Sequence, residues 1–582
     1  MNYSPSTIKP YKPQSCIISS KLAYQIFLKN HPKFIKTLDV KRTIDLSSGF
    51  FSNRLRCKKD YLIEIAKRSK GCKALRVQQY EGLCYFKLSV HREIIKKFKY
   101  IEQLSLGEVS EDVASIIKFY SRWLLECKCI TSIQLDLTCG SMFYLRSTIN
   151  EKGYFGTTGN KKDDYRFFKL LKNKKLKAIE LEKPLGIIVF PFPTYPTSLS
   201  KLCIADRKSQ NFLSNNEVLQ ALTSRKLFLT HLQNLSSFKM FLALAPFVIS
   251  SILSSILNPE KITCLCLNID TNCSSDLVDP KVLTTFTSLQ ELTLKFCQPF
   301  SVVETLQAFN IKNLTTLDLV LPLQDEKESL DFANFVGKIE NLQVLRTKIN
   351  SGAKSNVLTS FKAYFENVSK LENLHVLEIN FNGVEIKSES LLTDLSDCLG
   401  RLPDLKEFGL NLYKTGCSPA EFNHFMKTLK NKASQLLKVS LNFGNFAMKL
   451  PQILAIVEAL QEMKLLEVLI MKNINIDDEK PVERILASSK FLSRLKILDL
   501  HLNSLGISRE LFLLALEEII SRRGLETFTC KGRLTLKDKT PWTRKIDVKE
   551  VMKKNQKLMK IDINPELKGC MESLNLLNQC QW

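Results

Sequence analysis

The stretches LHVLEINFN (374–382), LLEVLIMKN (465–473) and LKILDLHLN (495–503) share one spacing: apolar residues at the first, fourth and sixth positions and asparagine at the ninth. The paired apolar positions are Leu377 with Ile379, Val468 with Ile470, and Leu498 with Leu500. On an extended chain each pair points to one side, while the residue between them points to the other. That is the period-two pattern of a short strand with one buried face. Shorter copies, apolar-x-x-apolar-x-apolar, recur along the chain as CKALRV, IEQLSL, ITSIQL, ITCLCL, LQELTL, LTTLDL, LKEFGL, LLKVSL, LETFTC and LMKIDI.

Marking the second apolar position of each copy gives Leu75, Leu104, Ile133, Ile179, Leu202, Leu232, Leu265, Leu292, Leu317, Leu345, Leu377, Phe408, Val439, Val468, Leu498, Phe528 and Ile561, with IKTLDV, marked at Leu38, as a further copy at the start. The steps cluster around 29 to 30 residues, the sign of an internal repeat. Strands that recur in one direction need a crossover between them, and the 20-odd residues left in each step read as helix. Ser418-Pro419-Ala420-Glu421 is a capping box with proline at the first helical position, followed by Phe422, Phe425, Met426 and Leu429 at helical spacing. Pro451 likewise precedes Ile453, Leu454, Val457 and Leu460. A helix through Leu511, Leu514 and Ile519 is expected to end on Arg522 and Arg523, with a left-handed stop at Gly524.

These motifs resemble the leucine-rich-repeat superfamily, and a full helix per repeat resembles its ribonuclease-inhibitor-like subclass; the resemblance covers most of the 582 residues. It implies an α/β horseshoe solenoid of about 17 repeats, with a parallel sheet on the concave side and helices outside. It also implies that the ninth-position asparagine ties adjacent turns through backbone hydrogen bonds. That position holds Asn382, Asn473 and Asn503 in the full copies, but Gly444 in the Val439 repeat.

The expected organisation is a basic polar tail and amino-terminal capping helix over 1–30, then the solenoid over 31–582 with a carboxy-terminal cap near 565–582. The step from Ile133 to Ile179 is 46 residues, which places an inserted loop near 141–168. Pro184, Pro191, Pro193 and Pro196 make the next, short step extended rather than helical on its outer side.

Hydrophobic residues at 44%, with 20 Gly and 19 Pro, exclude disordered, collagen-like and mucin-like classes. The net charge of +25 is uneven: +23 over 1–250, −7 over 251–400 and +9 over 401–582. Lys58, Lys59, Lys67, Arg68 and Lys70 form one dense basic group, and Lys161, Lys162, Lys172, Lys174 and Lys175 another. Together they read as a patch for an anionic partner, whether acidic protein, nucleic acid or anionic lipid. The 17 cysteines are odd in number and follow no CxxC spacing; Cys127/Cys129 and Cys264/Cys266 would share a strand face rather than pinch a metal, and all are expected as free thiols. The polar amino terminus lacks the apolar core of a signal peptide, so a cytoplasmic or nuclear protein is expected. The uncharged stretch 240–259 is interrupted by Pro246 and four serines, which favours a buried solenoid helix over a membrane span.

No catalytic constellation stands out. The glycines of the inserted loop end in GNKK (159–162), not the lysine and hydroxyl of a phosphate loop, and His91-Arg92-Glu93 lacks the aspartate of a kinase catalytic loop. Neither HExxH nor GxSxG occurs. The chain therefore reads as a non-enzyme with no cofactor or metal, a protein-binding scaffold. The residues between the paired apolar positions should line the concave face: Arg76, Ser105, Gln134, Glu180, Cys203, Gln233, Cys266, Thr293, Asp318, Arg346, Glu378, Gly409, Ser440, Leu469, Asp499, Thr529 and Asp562. Neither charge dominates this series, which suits a protein surface better than a phosphate backbone. Arg346, Lys348, Glu378, Asn380, Asp499 and His501, in the most regular section, are the expected contact residues for a protein partner. Two alternatives remain: a substrate adaptor of a ubiquitin ligase, which would need an F-box-like module before the repeats, and a regulator of a small GTPase built on the same repeat.

Overall fold

The computed structural model describes residues 232–269 and, with gaps at 270–277, 297–301, 324–325, 352–360, 382–389, 413–417, 445–446, 508 and most of 477–490, the chain on to 531; elsewhere it describes the strands and a few flanking residues. The chain divides into two compact units. The first holds Met1–Leu242, Ser251–Lys261 and Gln579–Trp582, and the second Ala243–Ser250 and Ile262–Asn578.

In the first unit eight strands pair in parallel in chain order: β1 (Ser15–Ile18), β2 (Thr43–Leu46), β3 (Ala74–Val77), β4 (Gln103–Leu106), β5 (Ser132–Asp136), β6 (Ala178–Glu182), β7 (Lys201–Ala205) and β8 (Ser237–Leu244). Cys580–Gln581 pairs antiparallel with β1. Ile44, Leu75, Leu104, Ile133, Ile179, Leu202 and Phe238 stand side by side across the ladder. One expected mark is thereby corrected: Phe238 takes the place of Leu232. Both residues are buried, and the apolar run following Ser237 is the longer extended segment, so the ladder pairs there. The expected copy IKTLDV lies outside the described residues, and the described strand after it is TIDL at Thr43–Leu46. The expected capping region contributes β1, whereas the inserted loop at 141–168 lies outside the described residues.

The uncharged stretch 240–259 is shared between the end of β8 and the helix Pro246–Ser254. Proline opens that helix, where its missing N–H costs nothing, and the Ser250 hydroxyl donates back to the Pro246 carbonyl at 2.9 Å. Among the described residues no helix is long and apolar enough to cross a membrane.

In the second unit the described residues alternate strand and helix. Its ladder runs β9 (Cys264–Ile269), β10 (Glu291–Phe296), β11 (Thr316–Leu323), β12 (Val344–Ser351), β13 (Val376–Asn380), β14 (Glu407–Asn411) and β15 (Lys438–Asn442). The short β16 (Ala447–Met448) follows in the chain, and the ladder continues as β17 (Val468–Ile476), β18 (Ile497–Ile507) and β19 (Thr527–Lys531), which pairs with Lys560–Ile563. The aligned marks are Leu265, Leu292, Leu317, Leu345, Leu377, Phe408, Val439, Leu469, Leu498, Phe528 and Ile561, all at most 1% exposed. Burying each such side chain contributes about 1.5–3 kcal/mol. Parallel strands alternating with helices, as in the described turns from β9 to β17, are the leucine-rich-repeat architecture that the sequence resembles.

The helices pack on the face to which these marks point. Phe408 of β14 meets Phe425 of the helix Pro419–Asn431 at 6.0 Å between ring centres, and the hydroxyls of Thr347 on β12 and Tyr364 in Lys362–Val368 lie 3.1 Å apart in the core. The capping box forms as the sequence predicts: Glu421 N–H donates to Ser418 Oγ at 3.2 Å, and Ser418 N–H donates to Glu421 Oε2 at 2.9 Å. Three helix expectations are corrected. In Leu450–Glu462 the buried face is Ile453, Ile456, Ala459 and Leu460, with Leu454 and Val457 at its margin. In Arg509–Ile520 Leu513 and Leu516 face inward and Leu514 is 49% exposed. Gly524 is not left-handed; among the described glycines only Gly444 has a positive φ, at 63°.

Turns are tied by asparagines other than the expected ones. Asn313, Asn341 and Asn373 each stand just before a strand, and their Nδ2 groups donate to carbonyls one turn earlier: Thr287 at 3.2 Å, Lys312 at 3.2 Å and Glu340 at 3.4 Å. Of the ninth-position residues, Asn473 donates to the side chain of Asn442 at 2.9 Å rather than to backbone, and the side chains of Asn382 and Asn503 lie outside the described residues.

Candidate functional site

Opposite the helices, the sheet of the second unit presents three outward side chains from each of its main strands. The middle row reads Cys266, Thr293, Asp318, Arg346, Glu378, Gly409, Ser440, Ile470, Asp499 and Thr529. This matches the expected series except at one strand, where Ile470 replaces Leu469. In the first unit the corresponding exception is Lys239, which stands beside Cys203 where Gln233 was expected.

The Leu469 error has a physical origin. LLEVLIMKN can be read with Val468 and Ile470 as the inward pair, but the structure buries Leu466, Leu469, Met471 and Ile474 instead. A one-residue slip in a strand exchanges its faces. The extra residue is absorbed between Met471 and Ile474, where the pairing with β18 shifts and Asn473 takes a left-handed φ of 54°. Asparagine tolerates that conformation better than most residues. Its neighbour across the sheet completes the turn: Asn442 Oδ1 accepts from Gly444 N–H at 3.1 Å and from Asn473 Nδ2 at 2.9 Å.

The expected contact residues fall into two clusters. Arg346 and Lys348 on β12 stand beside Glu378 and Asn380 on β13. Asp499 and His501 lie on β18, four strand spacings further along the ladder, or roughly 19 Å. The structure does not bring the two clusters together.

In the first cluster Arg346 Nε donates to Glu378 Oε2 at 3.2 Å, and Lys438 Nζ donates to Glu378 Oε1 at 2.8 Å and to Glu407 Oε2 at 3.3 Å. Glu378 reaches two strands along, to β15, because Gly409 lies between: a Cβ there would sit 3.0 Å from Glu378 Cγ. Four charges on four adjacent strands are thus held in one chain, each side chain 29–38% exposed. Burial works to lower the Lys438 pKa, but hydrogen bonding and charge from Glu378, with Glu407, more than offset it and raise the pKa above the usual lysine value. On β11, burial raises the Asp318 pKa although Lys295 and Arg346 pull it down. Lys438, Glu407 and the gap at Gly409 were missed in the sequence because Lys438 and Glu407 occupy the position before the first paired residue, which the pattern leaves unassigned.

In the second cluster His501 Nε2 lies 3.2 Å from Asp499 Oδ1. Burial works to raise the Asp499 pKa, but the hydrogen bond and charge of His501, with Lys472 and Lys531, leave it below the ordinary carboxylate value. Val468 and Ile470 on β17 and Ile497 on β18 are outward and half-buried here. Among the described residues no group of three or more His, Cys, Asp or Glu is placed to hold a metal ion. Lys58, Lys59, Lys67, Arg68, Lys70, Lys161, Lys162, Lys172, Lys174 and Lys175 all lie outside the described residues.

No protein-family model matches the chain, and no curated protein matches it. Solved structures that match include an internalin from Listeria monocytogenes, 15% identical, covering 64% of this chain and 82% of that one, with a TM-score of 0.32. The likeness is distant, and the assignment of the fold rests on the strand register and helix packing described above.

Proposed function

We propose that this chain is a non-catalytic scaffold that binds another protein on the open face of the second unit's sheet. The observation that carries the reading is the chain Arg346–Glu378–Lys438–Glu407, which fixes both signs of charge across four strands on a face the helices leave uncovered. Side chains already held by neighbours lose little further freedom on binding, so a rigid polar surface of this kind favours recognition. Asn380, Asn411 and Asn442 stand in register beside it, adding a row of amides that can donate and accept.

The test is co-purification with the full chain. Replacing Arg346, Glu378 and Asp499 by alanine should weaken retention of the partner by roughly 1–3 kcal/mol in total. Lys430→Ala, which breaks a 3.2 Å pair with Glu458 on the helix side, should leave retention unchanged. Loss with the helix-side variant and not with the triple variant would overturn the reading.

A further inference from the structure

Glu378 does two things on the open face. Its carboxylate receives one donor on each oxygen, Arg346 Nε on Oε2 at 3.2 Å and Lys438 Nζ on Oε1 at 2.8 Å. Its stem roofs Gly409, an outward position that is nevertheless buried: the three atoms nearest to a Cβ placed at Gly409 all belong to Glu378. Swinging this one side chain into solvent would uncover a strip of β14 backbone with a cation on either side.

Both cations are held in place without Glu378. Lys438 also donates to Glu407 at 3.3 Å, and Arg346 stands beside Asp318, whose charge it feels. Arg346 is engaged through Nε alone; among the described residues its two terminal nitrogens make no hydrogen bond. A guanidinium meets a carboxylate best through two parallel N–H groups, a geometry that Glu378, reaching from the neighbouring strand, does not form and that a carboxylate arriving from solvent can form. A contact this exposed to water is weak, and exchanging one carboxylate for another leaves no charge covered without a partner, so the substitution costs little.

We infer that Arg346 and Lys438, standing over the bare backbone of Gly409, form a receiving site for an Asp or Glu side chain of the partner protein, and that Glu378 fills this site until the partner's carboxylate displaces it. The inference rests on the proposed function and names the chemistry of one contact within it.

Random dodecapeptides displayed on phage supply the probe, panned against the full chain carrying Glu378→Ala, in which the internal competitor is gone. The enriched peptides should share an Asp or Glu. Synthetic copies should bind the natural chain at least about fivefold more weakly than the Glu378→Ala chain, and adding Arg346→Ala or Lys438→Ala to Glu378→Ala should weaken them about tenfold. Replacing the shared acid by its amide in the peptide should cost a similar factor, and nothing further once Arg346 and Lys438 are both alanine. Unchanged far-ultraviolet circular dichroism and thermal midpoint in each variant keep a folding defect from imitating this result. Glu378→Gln, which keeps the bulk of the side chain and removes its charge, provides the second reading and should tighten binding at least about twofold over the natural chain. Enrichment of peptides without an acidic residue, equal binding to the natural and Glu378→Ala chains, insensitivity to Arg346→Ala and Lys438→Ala, or no enrichment at all overturns the receiving site. Acid-free peptides that are lost on Arg346→Ala or Ile470→Glu would leave the open-face reading standing; peptides that bind every open-face variant alike would remove both.

Discussion

The open face over β12 to β15 and the open face over β17 and β18 belong to the same ladder and are built in opposite ways. Over β12 to β15, charge is answered within the protein: Glu378 accepts from Arg346 on one side and Lys438 on the other, bridging the bare backbone of Gly409. Over β17 and β18 the centre is Val468, Ile470 and Ile497, with Lys472, Asp499 and His501 beside it. A self-satisfied polar surface gives orientation and specificity, whereas a half-exposed apolar spot gains free energy only when something covers it. One repeating backbone can therefore divide recognition between adjacent turns by side chains alone.

The comparison depends on the register of β17, and that is where the largest effect is expected. Leu469 is 1% exposed and Ile470 half-exposed. Leu469→Ala should lower stability by roughly 2–5 kcal/mol and Ile470→Ala by about 1 kcal/mol or less, measured as shifts in the guanidinium midpoint. The reverse order would mean that Ile470 faces the core, and the apolar spot would not exist.

Most of the ladder is legible in the sequence. The strand-helix alternation, the capping box at Ser418 and nearly all of the middle outward row follow from apolar spacing, because a core position tolerates little but an apolar residue while turns repeat at a nearly constant length. Reading failed where apolar residues stand on both sides of a strand. In LLEVLIMKN either phase satisfies the pattern, and only packing against Val439 and Leu498 decides between them. Around 232–244 the same ambiguity shifted a mark by six residues, from Leu232 to Phe238. The inter-turn ties were missed for a different reason. Asn313, Asn341 and Asn373 recur immediately before the leucine that opens each copy, a signal present in the sequence but outside the ninth position to which the resemblance directed attention. The charge chain could not be read at all, since it needs Gly409 as a gap between side chains two strands apart.

The polar cluster should show a smaller effect. With side chains 29% and 32% exposed, the Glu378–Lys438 contact is partly screened by water, and a double-mutant cycle between them should give a coupling of about 0.5–1 kcal/mol. Gly409→Val should remove most of that coupling, because the new side chain takes the space over which Glu378 crosses. Raising the salt concentration to 1 M should shrink it as well. Coupling that persists undiminished in the valine background would show that Glu378 does not need the gap.

The smallest expected difference, and the one that separates the two regions by sign, concerns their aspartates. Asp499 has a folded pKa below its ordinary value, so its ionised form is favoured by folding. It contributes stability at pH above the unfolded value near 4, and that contribution is lost as pH falls through the lower folded value. Asp499→Asn should therefore be less stable than the natural chain at pH 7, with the gap closing in acid. Asp318 is the opposite case: burial raises its folded pKa, so ionisation costs more in the folded chain than in the unfolded one. That cost is absent well below the ordinary value and complete once pH exceeds the raised value. Asp318→Asn should accordingly be as stable as the natural chain in acid and more stable at pH 7, provided the amide keeps the neighbouring contacts. Thermal midpoints of both variants across pH 3 to 7 would show curves diverging in opposite directions; divergence in the same direction would mean that Arg346 and Lys295 outweigh burial at Asp318, and that the polar cluster extends its charge compensation as far as β11.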